Sequence, residues 1–406
     1  MKTIEGGITA PKGYKASGVH CGLKQKNLDV ALIISDVPAQ AAGIFTQNKV
    51  SAAPVRRDRQ IIGEKKPVRC IVTNSGNANA CTGKQGEDDT KQTAELTARA
   101  AGILPEEVLV CSTGVIGVPL PMEKLAEGII QAGERLSRSR LTARHAAEAI
   151  LTTDTCIKEI AVEIEIENMP VRISGIAKGS GMIHPNMATM LAYVLTDAQI
   201  DAGLLQKLLH EAADETYHMI SVDGDSSTND TALALANGAS GTPELTEGSA
   251  EYRRFKEAFI AVNKHLAQEI ARDGEGATKF VEASVTGAAS LEDARKLARS
   301  VITSNLVKTA LFGEDANWGR ILCALGYSGG NFTPEKTELR ISSSAGELTL
   351  LKEGSPVSFD EKEAKNILHE HDIILRIMLH DGDAAASSWG CDLSYEYVKI
   401  NGEYRT

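Results

Sequence analysis

The sequence predicts an α/β fold in two units, and three observations carry that prediction. Short β-branched apolar runs alternate with stretches of helical period along most of the chain; those runs end repeatedly in Gly, Thr, Ser or Asp loops; and from about Phe280 the texture shifts to a shorter series of strands and helices. The expected division is 1–280 and 281–406. No low-complexity linker separates the two, and no period of about 20–50 residues signals a solenoid.

In chain order, "PVRCIVTNSGNAN" reads as a strand entering a Gly/Asn turn, followed by a helix to about Ala101 and a second strand, "VLVCSTGVIG". That is a β-α-β unit. "LTARHAAEAILTTDT" is a helix entering a Thr/Asp loop, and "KEIAVEIEIENMPVRISGIAKGSG" alternates as a hairpin of half-buried strands. Next come the strand "MLAYVLTD", a helix from about Ala202 to Tyr217, "MISVDGDSST", and a helix from about Ala250 to Ala271 that stops at "RDGEGATK". The second unit holds "FVEASVTGA" as a strand, a helix opening at "SLEDARKLARSV", the strands "ELRISSS" and "ELTLLKEGSPV", a short helix from "DEKEAKNIL", and "DIILRIMLHDG".

With 406 residues, 42% of them hydrophobic, the chain can bury a large core. Its net charge of -11 disfavours nucleic acid or an anionic membrane surface as the main partner, since either calls for a basic patch. Small metabolites are the expected partners. The opening residues carry no apolar core of signal-peptide length, and no later segment approaches about 18 uninterrupted apolar residues, so a cytoplasmic location is expected. The seven cysteines are scattered without a C-x-x-C pair, and the nine histidines form no ligand-like cluster. Neither a disulfide framework nor a metal site is signalled.

Phosphate loops fare poorly. "CTGKQG" has a Gly-Lys pair, but Gln85 stands where Ser or Thr should meet magnesium and Ala78 replaces the leading glycine. No G-x-G-x-x-G opens a helix after a strand. Asp223 and Asp225, at i and i+2 after an apolar run, could serve a magnesium phosphohydrolase, or be an acidic solvated turn.

"KGSGMIHPNMATMLAYVLTD" places Thr189 at the head of an apolar strand. A threonine hydroxyl needs a base beside it, and a chain-terminal threonine carries one in its own α-amine. Cutting before Thr189 would create it. Ala188 is small enough for Thr189 Oγ1 to approach its carbonyl carbon, and Gly179 and Gly181 permit unusual backbone angles. Read locally, without more, Thr189 is a plain strand former after a Gly/Pro loop.

That loop, together with "GITAPKG", "TNSGNANACTG", "CSTGVIG", "DGDSSTND", "RDGEGATK", "GEDANWGRI" and the terminal "NGEYRT", closely resembles the ornithine acetyltransferase family of arginine biosynthesis. The segments run in order from Gly7 to Thr406, with no departure at the family's key positions. The resemblance implies a self-cleaving, N-terminal-nucleophile-like enzyme with a layered α-β-β-α core and a smaller C-terminal α/β part whose tail returns to the active site. The cut would fall between Ala188 and Thr189, giving an α chain 1–188 and a β chain 189–406 in an α2β2 heterotetramer.

By the same likeness Thr189 is nucleophile and, through its new amine, base. Thr113 and Gly114 form the oxyanion hole. Thr152, Lys178, Glu275, Asn401 and Thr406 contact substrate, with Lys178 expected to meet a carboxylate and Glu275 an ammonium. The implied reaction moves acetyl from N2-acetylornithine to glutamate through an acetyl-threonine, releasing ornithine and N-acetylglutamate. No cofactor is implied; acetyl-CoA is a co-substrate in the bifunctional form, toward which this sequence leans. Two further classes stay open: an aminopeptidase or amidase on a related self-cleaving scaffold, and an uncut amino-acid-binding protein. Without the resemblance the same residues read as turns, a solvated lysine, a surface acid and a frayed tail.

Overall fold

In the computed structural model, which describes residues 1–184 and 190–403, the strands form two sheets. The larger takes β1 (Lys2–Thr3), β2 (Tyr14–Val19), β3 (Val30–Phe45), β4 (Val68–Asn77), β5 (Val108–Val115), β6 (Lys158–Ile166), β7 (Met169–Lys178), β8 (Leu191–Thr196) and β10 (Thr231–Ala236). The smaller takes β9 (Ile220–Ser221), β11 (Phe280–Ala288), β12 (Glu338–Ser343), β13 (Gly346–Lys352), β14 (Ser355–Pro356), β15 (Asp372–Met378) and β16 (Ala384–Cys391).

The long strand β3 joins two layers. Its first half pairs with β2 and β4, and its second half pairs with β10. Exposed Val37 and Pro38 lie between the halves, where a proline costs no ladder hydrogen bond. One layer is therefore β2-β3-β4-β5, and the other runs β1-β6-β7-β8-β10-β3.

Side-chain alternation shows how these layers stack. Leu191, Tyr193 and Leu195 of β8 share a core with Ile71 of β4 and Leu109 of β5, so those faces meet. A Tyr193 to Thr73 hydroxyl hydrogen bond of 2.8 Å crosses the same gap. The opposite residues of β8, Ala192 and Val194, pack on the helices Ala202–Glu215 and Ala250–Arg272. On the outer side, Val72 and Val110 pack on the helices Gly83–Ala101 and Met122–Glu134. The order is helix, sheet, sheet, helix. Strands covered on both faces explain the continuous apolar runs of β8 and β10, with alanines on the helix side so that the helices approach closely. Each large apolar side chain so buried contributes about 1.5–3 kcal/mol.

The hairpin β6-β7 turns through Glu167 and Asn168, both at positive φ, as a two-residue connection of right-twisted strands requires. β4 and β5 are parallel, joined by the helix Gly83–Ala101. "MISVDGDSST" holds only the short β9, which pairs with β16 instead of joining the larger sheet. Six of the seven strands of the smaller sheet come from Phe280 onward, while a continuous apolar core runs from the helix Ala250–Arg272 into it. Among the described residues no helix is long and apolar enough to cross a membrane. The last described segment is a helix, Tyr395–Glu403.

Candidate active site

The β-α-β unit delivers the first wall. In the parallel pairing of β4 with β5, Gly76 lies opposite Gly114 and Ser75 opposite Thr113. Gly114 has φ +130°, and a Cβ there would lie 2.4 Å from the Gly76 carbonyl carbon, so only glycine fits. Asn229 braces these strand ends. Its Nδ2 donates to the Ser112 carbonyl at 2.8 Å and to the Ala78 carbonyl at 2.6 Å.

The second wall is the end of β7. Lys178 is 2% exposed, and burial pushes its ammonium below the ordinary lysine value, with the Asp154 charge opposing. Gly179 follows at φ +152°, a conformation in keeping with the strained loop expected there. The reading of Gly181 needs correcting. Its φ lies outside the glycine-favouring region, but a Cβ on it would sit 2.3 Å from the Glu275 carboxyl, so what it supplies is space for that carboxylate.

Glu275 reaches the same place from the end of the helix Ala250–Arg272, its amide donating to the Ser180 carbonyl at 2.8 Å. The C-terminal helix lies over it. Tyr397 Oη donates to Asp223 Oδ2 at 3.2 Å, and Asn401 Nδ2 donates to Glu275 Oε2 at 2.8 Å.

These walls enclose a cavity of about 280 Å³ lined by Thr113, Gly114, Thr152, Lys178, Glu275 and Asn401, among others. Six sequence-predicted residues from five distant stretches therefore share one pocket of small-ligand size. Ala188, Thr189 and Thr406 lie outside the described residues. The wider cleft of about 450 Å³ floored by Lys264 and Trp389 holds none of the predicted residues, so volume alone is a poor guide here.

Asp223 and Asp225 do not form a metal pair. Asp223 accepts from the Met182 amide at 2.6 Å and the Ile183 amide at 3.0 Å, while Asp225 is exposed. The carboxylate pins the loop beyond Lys178, and sequence spacing could not reveal that because its partners lie about forty residues upstream. Among the described residues no cluster of three His, Cys, Asp or Glu groups could hold a metal ion.

Sequence reasoning also missed Asp230. It is fully buried, burial pushes its carboxyl well above the usual range, and Oδ1 accepts from the Met190 amide at 3.0 Å, one peptide from Thr189. Oδ2 has no hydrogen-bond partner among the described residues.

The layered α/β frame, with a compact pocket combining a buried lysine, a glutamate, hydroxyls and a glycine-bounded strand end, is that of an enzyme acting on a small charged metabolite. Over residues 15–406 the sequence matches the ArgJ family. The arginine biosynthesis bifunctional protein ArgJ of Symbiobacterium thermophilum is 53% identical over 411 aligned residues, with 100% of each chain covered. Its namesake in Caldanaerobacter subterraneus subsp. tengcongensis is 50% identical over 406, again with 100% of each covered. The crystal structure of arginine biosynthesis bifunctional protein argJ from Bacillus halodurans, 44% identical, superposes with a TM-score of 0.50 over 52% of this chain and 98% of that one. The chain belongs to the ArgJ family.

Proposed function

We propose that this protein cuts itself before Thr189 and then transfers acetyl from N2-acetylornithine to glutamate in arginine biosynthesis. The observation that carries the reading is the convergence of Thr113, Gly114, Thr152, Lys178, Glu275 and Asn401 on one cavity. Met190, directly after Thr189, is clamped by Asp230 at the head of β8.

In the transfer, Thr189 Oγ1 attacks the acetyl carbonyl carbon and its proton passes to the α-amine of the same residue. The oxyanion is held by the Thr113 hydroxyl and the Gly114 amide. The C–N bond breaks, ornithine leaves with that proton, and an acetyl ester remains. Glutamate then enters the vacated place, its amine attacks the ester carbonyl, and N-acetylglutamate departs as Oγ1 recovers a proton. Donor and acceptor share an α-carboxylate, which Lys178 meets, while Glu275 meets an ammonium. A free α-amine titrates near pH 7.7–8.0, so a useful fraction is unprotonated near neutrality. Ping-pong kinetics follow.

The relatives are named bifunctional, which fits a second loading of Thr189 from acetyl-CoA. The working form is an α2β2 heterotetramer in the cytoplasm, with 281–406 as the smaller unit. Intact-mass measurement tests the cut through two fragments meeting at Ala188/Thr189. Acetyl release from acetylornithine that requires glutamate supports transfer, and equal release without it would make the enzyme an amidase. No acetylglutamate from acetyl-CoA and glutamate alone would remove the second activity.

A further inference from the structure

Several pocket positions hang on a carboxylate that no motif singled out. Asp154 Oδ1 accepts from the Gly179 amide at 2.6 Å, and Oδ2 accepts from the Thr152 amide at 3.0 Å. The same carboxylate meets the Lys158 ammonium at 2.7 Å, and both side chains of that pair are 0% exposed. Lys158 Nζ also lies 2.6 Å from Asp273 Oδ2. Asp273 accepts from the Thr155 amide at 3.0 Å and stands two residues before Glu275. The three walls carrying Thr152, Lys178 and Glu275 are thereby fixed relative to one another.

Such a buried group is a weak source of stability, because removing three charges from water offsets most of their attraction. An apolar cluster would hold the walls equally well. What it would not supply is a negative charge acting on Lys178, whose ammonium burial pushes below the ordinary lysine value. The charged groups facing Lys178 are Asp154, Asp230 and Glu275, opposed by Lys158 and Lys24. Of the three carboxyls, Asp154 acts most strongly on Lys178, while burial pushes the Asp230 carboxyl well above the usual range. Burial acts against the Asp154 anion too, but Lys158, Lys178 and the Gly179 amide outweigh it and keep the group well below the usual carboxylate range.

We propose that Asp154 is a positioning residue of the pocket, fixing the Thr152 and Gly179 amides from one carboxylate and keeping Lys178 charged for the substrate carboxylate. The inference rests on the reading of this pocket as the acetylornithine site. Asp154 acts through Lys178 and Thr152 and need not touch substrate itself.

Asp154→Asn preserves shape and removes the charge. The expected result is a KM for acetylornithine raised about tenfold near neutral pH, with kcat changed much less. The alkaline rise in KM, where Lys178 loses its proton, should move to lower pH. Asp273→Asn removes the other carboxylate on Lys158 without touching Gly179 or Thr152 and should leave that alkaline limb in place. If Asp154→Asn does not fold, the double variant Asp154→Asn/Lys158→Met removes the buried pair together; it should still raise KM, because the Thr152 and Gly179 amides lose their shared carboxylate, while the alkaline limb moves less than in the single variant, since a cation opposing Lys178 has gone as well. A folded variant of either kind with wild-type KM and pH profile overturns the proposal. Lys178→Met separates the two levels: if it raises KM while Asp154→Asn does not, only the role of Asp154 fails, and if neither changes KM, the reading of the pocket fails as well.

Discussion

Asn401 donates a 2.8 Å hydrogen bond to Glu275 across 126 residues of sequence, closing the C-terminal helix over the pocket. Below this contact, a Cβ at Gly276 would lie 2.5 Å from the Tyr397 amide nitrogen, so the helix rests directly on the loop that presents Glu275.

Deleting residues 401–406 should therefore be costly. Cleavage before Thr189 needs the local loop and the oxyanion donors, so it should proceed, while acetyl transfer should fall at least about tenfold, or about 1.4 kcal/mol of transition-state stabilisation. A truncated enzyme with unchanged kcat/KM for acetylornithine would remove Asn401 and Thr406 from the site.

Thr189→Ala should yield a single uncut chain of full mass that remains folded, because the change removes a hydroxyl and leaves the core strand β8 intact. A variant that still divides into two fragments would exclude Thr189 as the nucleophile.

Thr113→Val keeps the strand-forming shape and removes one oxyanion donor, so kcat should drop by about 10²–10³, equivalent to roughly 2.7–4 kcal/mol. Gly114→Ala should do worse, since the added methyl meets the Gly76 backbone at a φ that alanine rarely adopts. Thr113→Ser, which retains the hydroxyl, should recover most of the loss; failure to recover would point to packing instead.

Asp58 predicts a pH-dependent stability. It is 1% exposed, both of its oxygens lie 3.0 Å from the Val110 amide nitrogen, and burial pushes its carboxyl up to about 8 against the pull of that amide and Arg57. In the unfolded chain the group titrates near 3.9, so between about pH 4 and 8 the folded state holds a proton that the unfolded state lacks. Its contribution to stability is full below that window and lost as pH rises through it. The Tm of Asp58→Asn should consequently fall less between pH 5 and 9 than that of the wild type, and parallel curves would show that Asp58 ionises normally.

Local sequence made several elements legible. The β4-helix-β5 unit, the β6-β7 hairpin and the helix opening at Ser290 follow from turn residues, periodicity and a cap, which act over a few residues. The candidate residues owe their recognition to motif resemblance, because a lone strand-end threonine or loop lysine carries no chemistry by spacing. β3 and β16 escaped notice: the first bends between two layers, and the second is rich in Ala, Ser and Gly and buried by its neighbours instead of by its own apolar content.

The sequence by itself determined the α/β class, the texture change near Phe280, and the family through its ordered motifs. Tertiary structure alone decided that β9 leaves its neighbours for the smaller sheet, that Gly181 serves as space for Glu275, and that Asp223 binds amides instead of standing free for a metal. It also decided that Lys178 is buried beside Asp154 and Asp230. The physical reason is range: turn chemistry and periodicity are settled by neighbouring residues, whereas burial, close approach and charge pairing depend on groups that only packing brings together.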